Sequence, residues 1–387
     1  MNKTLALLLD SYRELNAKRL FWIVLALSGL VVLAFAMIGI KDDTITILWW
    51  NTPLRAEVLS YISPATLYKD LFAYFGIGFW LAWLGNILAL VSTAGIFPDF
   101  IAAGSIDLYL SKPISRLRLF ITKYTGGLLF VTLQVGIFST CSFLVLGLRG
   151  HAWRPAIFLA IPLVVLVFSY LFSICVLLGV LTRSTIAAML LTLLIWFALW
   201  GVQATEFALL RERIRTDVET SSLDRQIAQT KESLANLKSN PTAKPSTETT
   251  APSANPFGYL MHNSPRSQLQ AKLDSLEAER AQWGTAVYTA HKVAYAVLTP
   301  LPKTSGTTEL LSRALKDDDD VRASEEITEE RESRGRRRES FADRQTVDKK
   351  LVESQDQRTA TWTLGTSIGF EAVVLSLAAW LFCRRDY

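Results

Sequence analysis

Glu371 is the one acid set well inside a long apolar run, the stretch 364–382. A carboxylate at membrane depth is expensive, so it reads first as functional: it lines a polar path or pairs with a base. The plainer reading is that local thinning or an outer aqueous vestibule solvates it. At 1.5 Å per helical residue it sits about 20 Å from Arg384, in the outer half of a bilayer. Two amides, Asn86 and Gln134, fall inside other apolar runs. They suit hydrogen bonding between helices, and with Glu371 they are the candidates for lining a polar path. A second group is basic: Lys112, Arg116 and Lys123, with Asp99 and Asp107 just ahead of them. No set of residues points to catalysis. The three histidines (His151, His262, His291) and three cysteines (Cys141, Cys175, Cys383) have no ligand-like spacing, so neither a metal site nor a disulfide framework is expected. The chain has no HExxH and no GxxxxGK[ST], so any ATP hydrolysis must come from another chain.

Half of the 387 residues are hydrophobic, 19% are charged, and the mean hydropathy is +0.27. Membrane spans are the simplest account. The apolar runs predict six, at 20–40, 71–96, 124–146, 156–181, 185–204 and 364–382, with Pro162 expected to kink the fourth. Leu5, Leu8, Leu9, Tyr12 and Leu15 recur at helical spacing, which predicts an amphipathic helix over 1–19 lying in the inner interface. Residues 41–70 read as an outer loop with Trp49 and Trp50 as interfacial aromatics. The fold class is therefore an all-α integral membrane protein. It has six transmembrane helices, an N-terminal interfacial helix and a large external helical insert between the fifth and sixth spans. The domain division is 1–19, 20–204, 205–360 and 361–387.

A short loop rich in Lys and Arg between two spans faces the cytoplasm. Residues 97–123 are such a loop, and six spans then put both termini inside. Pro113 ends any helix before it, so a short helix over about 99–110 would lie on the cytoplasmic face, followed by a turn at Ser111-Lys112-Pro113. The run LYLSKPISRLRLFITKYTGG, with Gly104 ahead of it, resembles the first cytoplasmic loop of the ABC-2-type permease family, the membrane subunits of many bacterial exporters. The final F-x-R-R-D and the early YRELNAKRLFW also look like that family, which often has Glu where this chain has Asp99. The resemblance implies coupling of the membrane subunit to a cytoplasmic ABC ATPase through Asp99, Gly104, Asp107, Ser111, Lys112, Pro113, Arg116 and Lys123. It implies a dimer with a second permease copy or homologue in the bacterial inner membrane. ATP and Mg would sit on the partner ATPase, with no cofactor on this chain, which would itself be no enzyme. Asn86, Gln134 and Glu371 would then line the translocation path. Cargo of that family includes lipids, glycans, drugs and peptides.

The insert, 205–360, is polar, with acids and bases nearly balanced. Leu223, Ile227, Leu234 and Leu237 mark one heptad seam, with Thr230 interrupting it. Leu269, Leu273, Leu276, Trp283 and Val287 mark another. Between them lies a Pro-, Ser- and Thr-rich stretch. The pattern predicts an antiparallel helical hairpin, 209–238 against 266–290, joined by a flexible linker at 239–257. Residues 317–357 are a charge run that reads as a solvated helix or disordered strip. Its arginine triplet, 336–338, is flanked by acids and gives no case for nucleic acid. A second function class is open on these features: an ATPase-driven mechanotransmission protein that acts on an envelope partner through the hairpin and carries no substrate.

Overall fold

The computed structural model describes residues 19–41, 44–47, 50–51, 72–102, 115–149, 153–239, 265–282, 286–315 and 338–384. The expected interfacial helix, most of the basic loop and the hairpin linker lie outside these residues. In order, the elements begin with α1 (Arg19–Met37) and a small antiparallel ribbon of β1 (Ile38–Lys41), β2 (Thr44–Ile47) and β3 (Trp50–Asn51). The ribbon pairs Ile38 with Ile47 and Thr46 with Asn51, and among the described residues it is the one departure from a helical chain. Its β2 and β3 fall in the expected outer loop, whereas β1 takes residues 38–40 from the end of the expected first span, where the helix stops at Met37. Next come α2 (Phe72–Gly85), wound with the wider π spacing, α3 (Asn86–Thr93) and α4 (Ile96–Ala102). Then follow α5 (Arg116–Arg149), a short 3-10 turn (Pro155–Leu159) and α6 (Ala160–Thr182). The remaining helices are α7 (Thr185–Ser239), α8 (Pro265–Gln282), α9 (Ala286–Leu298), α10 (Thr304–Leu315), α11 (Arg338–Asp356) and α12 (Ala360–Arg384).

Five of these stretches are long and apolar enough to cross a membrane, so this is a membrane protein. They are Gly78–Ile101, Arg116–Leu148, Pro155–Thr182, Thr185–Leu237 and Ala360–Arg384. The apolar helix Phe21–Met37 is shorter. Pro162, expected to kink the fourth span, lies in α6 directly after the 3-10 turn Pro155–Leu159. It falls in the first turn of α6, where its missing N–H was never needed for an intrahelical bond.

The chain divides into two compact units. The first, 1–203 with 297–335 and 358–387, is a bundle centred on α6. That helix is apolar on every face, and such a helix is stable only when neighbours cover it. Phe168, Tyr170, Leu171, Phe172 and Val180 are accordingly fully buried, packed by α5, α12, α10 and α4. Glycine sets the approach of α5 to α6. A Cβ at Gly127 would fall 2.7 Å from the Phe172 ring and 3.2 Å from Ile96. Phe172 has no room to swing, since it stacks on Tyr124 and on Phe168 with centroids 5.2 and 5.3 Å away.

The second unit, 204–296 with 336–357, is built on the distal part of α7. Its α8 and α9 run antiparallel to α7, as the partner residues show. Arg266 donates to the Leu237 carbonyl at 3.2 Å, Lys231 pairs with Glu277 at 2.9 Å, and Arg280 with Asp224 at 2.8 Å. These contacts are solvated, so they fix register more than they add stability. Leu223, Leu273 and Leu276 of the expected seams are buried. Buried Thr230 turns its hydroxyl back to the Gln226 carbonyl at 2.7 Å, which satisfies it within its own helix. Helix α11, from the charge run, is not merely solvated. Val347 and Leu351 close a core with Leu210, Ile214 and Val218. Here the glycine contacts of the first unit give a direct test. Gly127→Ala should lower the melting temperature in detergent by the equivalent of about 1–3 kcal/mol, the usual cost of overpacking. Gly136→Ala, with nothing within 4 Å of the new methyl, should leave it unchanged or raise it.

Candidate functional site

At one end of the bundle, α4 is seated by its own sequence IFPDFIA. Phe97 meets Phe120 of α5 and Phe382 of α12 at centroid distances of 5.0 and 6.1 Å, and Phe120 meets Phe382 at 5.6 Å. Pro98 lies against Gly179, the last buried turn of α6 before Arg183 ends that helix in the left-handed region (φ 54°). Asp99 Oδ1 accepts a hydrogen bond from Thr185 Oγ1 at 2.9 Å, tying α4 to the start of α7. Lys123 is buried and lies 5.3 Å from the Phe100 ring centre. Arg116 Nη1 donates to the Cys383 carbonyl at 3.3 Å, so the first turn of α5 meets the last turn of α12. Ser115 caps α5, with the Arg118 N–H on its hydroxyl at 3.3 Å, and residues 116–123 of the expected loop are already helical. Of the expected coupling residues, the structure gathers Asp99, Arg116 and Lys123 at this end. Gly104, Asp107, Ser111, Lys112 and Pro113 lie outside the described residues.

The three expected path residues do not form one group by hydrogen bonding. Asn86 is buried and donates to the Ala82 carbonyl of its own helical turn at 3.1 Å. Its Oδ1 and the Oε1 of buried Gln134 have no hydrogen-bond partner among the described residues. Glu371 is bound instead by two hydroxyls that sequence reasoning did not single out. The Tyr124 hydroxyl of α5 lies 2.8 Å from Oε1, and the Ser169 hydroxyl of α6 lies 2.9 Å from Oε2. The available signal was a Tyr opening the third apolar run and a Ser-Tyr pair inside the fourth.

A polar junction lies where the turn after α9 meets α12. Lys303 Nζ donates to the carbonyls of Thr299 (2.9 Å) and Leu301 (3.3 Å) and to Thr366 Oγ1 (2.7 Å), and sits 4.2 Å from the Trp362 ring centre. Its backbone N–H reaches Ser367 Oγ at 3.0 Å. Gln203 binds the same turn from α7, to the Pro302 carbonyl and Thr304 hydroxyl at 3.3 Å each and from the Ser305 N–H at 3.1 Å. Pro300 and Pro302 lie in this turn, which Lys303 and Gln203 hold from both sides of the sequence. Among the described residues, no three His, Cys, Asp or Glu side chains converge as metal ligands.

Burial pushes the Lys303 ammonium down to about 8, and Arg358 adds to the effect. A base held below its unfolded value of 10.5 binds its proton less readily in the folded state. Stability then rises with pH, from about 8 toward 10.5. Unfolding of the wild type measured against Lys303→Met should show the wild type gaining relative stability across that window; a flat or falling difference would remove the assignment. No protein-family model matches the chain, and neither a curated protein nor a solved structure does.

Proposed function

We propose that the chain is the membrane permease subunit of an ABC transporter, an exporter, coupling ATP hydrolysis by a separate ATPase to substrate movement. The observation that carries this reading is the seating of the basic elbow. Its two described ends are held by α12 through Arg116 and by α7 through Asp99, so displacement of the elbow is passed to two spans at once. The resemblance of 97–127 to the ABC-2 permease loop supports the same reading.

Six crossings belong to the proposal. The helix Phe21–Met37 would be the first, its shortfall against a hydrocarbon core of about 30 Å met by local thinning. An even count keeps both termini in the cytoplasm and puts the insert outside. ATP and Mg belong to the partner, a second permease copy completes the dimer, and the location is the bacterial inner membrane. ATP shifts the two-state equilibrium only through partner contacts that differ between the states.

A second reading is mechanotransmission without cargo, and one observation favours it. Helix α7 runs unbroken for 55 residues, about 80 Å at 1.5 Å per residue, from an apolar start into the polar insert. Deleting 224–282 separates the two: a transmitter loses all function while ATPase docking survives, whereas an exporter keeps part of its transport.

The permease reading predicts that a Walker-type ATPase encoded beside this gene co-purifies with the full-length protein. Lys112→Glu should weaken that association about tenfold, the loss of roughly one charge-assisted contact. Failure of any such ATPase to associate in the presence of nucleotide would end the reading.

A further inference from the structure

Counting protons around Glu371 gives more than its hydrogen bonds do. The Ser169 hydroxyl is within bonding distance of two acceptors, the Leu166 carbonyl at 2.8 Å and Glu371 Oε2 at 2.9 Å. It has one proton and can donate to only one of them. If Ser169 donates to Leu166, its lone pairs face Oε2, and the contact is a hydrogen bond only when Oε2 carries a proton. If Ser169 turns toward Oε2, Glu371 is a carboxylate accepting from Ser169 and from Tyr124, whose one hydroxyl proton has Oε1 at 2.8 Å and the more distant Ser169 carbonyl at 3.2 Å as acceptors. Both protonation states are thus served with no heavy atom moving. Among the described residues no base forms an ion pair with Glu371 that would hold it in the charged state.

We propose that Glu371 is a proton-binding site within the membrane, switched between acid and carboxylate by rotation of the Ser169 hydroxyl and reached from the Lys303 end. The proton leaves Oε2 for solvent water at the Lys303 end as the Ser169 O–H turns from Leu166 to take its place, and uptake of a proton from that water restores the acid. No bond between heavy atoms changes. The ionisable groups around it are few. Tyr124 on α5 touches it, and Tyr170 on α6 is close enough to feel its charge. On the α10 side Lys303 is held by the turn, and Glu309 pairs with Arg313 at 3.0 Å. Arg116 and Lys123 on α5 and Arg384 on α12 lie at the opposite end. The route is asymmetric. From Glu371 toward Lys303, the inner face of α12 carries Ser367 and Thr363, both buried. The fully buried Tyr170 hydroxyl lies near Ser367 and Thr307 without a well-formed hydrogen bond to either. Toward Arg116 that face is Ala378 and Phe382, closed by Phe97 and Phe120.

The proposal concerns this chain's own chemistry and stands whether or not an ATPase is its partner. Infrared difference spectra of the full-length protein in nanodiscs, between the acid and alkaline limits at which it stays folded, test it. The protonated-carboxyl C=O band should appear on acidification in the wild type and be missing from Glu371→Gln, whose amide donates to Ser169 and accepts from Tyr124 as the acid does. Tyr124→Phe should keep the band and move it to higher frequency, because the C=O loses its donor. Tyr170→Phe should slow the band's response to a pH jump about tenfold or more. A wild-type spectrum without a pH-dependent band absent from Glu371→Gln would overturn the site. A Tyr170→Phe response as fast as the wild type would overturn the route.

Discussion

A carboxyl group placed among apolar helices has no water to satisfy it, so the bundle must supply its partners. Tyr124 and Ser169 do this for Glu371, and the three residues come from α5, α6 and α12 at one level. Helix α12 is the last element of the chain and most of its span is open to its surroundings. Much of what fixes its rotation is polar: Thr363, Ser367 and Glu371 repeat every four residues and face inward. Turning α12 by one residue would send the acid into lipid and leave two buried hydroxyls without it. This constraint also governs the turn after α9, because Lys303 is bound to Thr366 and Ser367 of α12 while Gln203 holds the turn itself.

The opposite end of the bundle is held by different physics. There Phe97, Phe120 and Phe382 interlock, and Gly127 and Gly179 let Phe172 and Pro98 come close. At the rim of this end lie the polar contacts of Thr185 on Asp99 and Arg116 on the Cys383 carbonyl of α12. Rim contacts of this kind are replaceable by water when the elements move, whereas the Glu371 contacts are not. The proposed coupling therefore asks for movement where the bundle is wet and aromatic, and for constancy where it is dry and hydrogen-bonded.

The second unit obeys soluble-protein rules. Its seams are short and broken by Thr230, and α7 is completed there by two separate partners, α8 and α11. Heptad spacing made Leu223, Leu273 and Leu276 readable as a seam. Val347 and Leu351 were hidden because two apolar residues four apart, surrounded by charge, look the same on a solvated helix as on a packed one.

Apolar run length is a property of the chain alone, and membrane thickness converts it directly into spans. So the sequence by itself determined a membrane protein with long apolar helices. The setting of Pro162 was not legible in the same way: its place in the first turn of α6 depends on the 3-10 turn before it. Pairing across more than two hundred residues belongs to the tertiary structure. Only the packed bundle decided that Glu371 meets Tyr124 and Ser169 rather than Asn86 and Gln134, and that Lys303 closes a turn onto Thr366. Helical periodicity says which residues share a face; it does not say which face of which neighbour will be opposite.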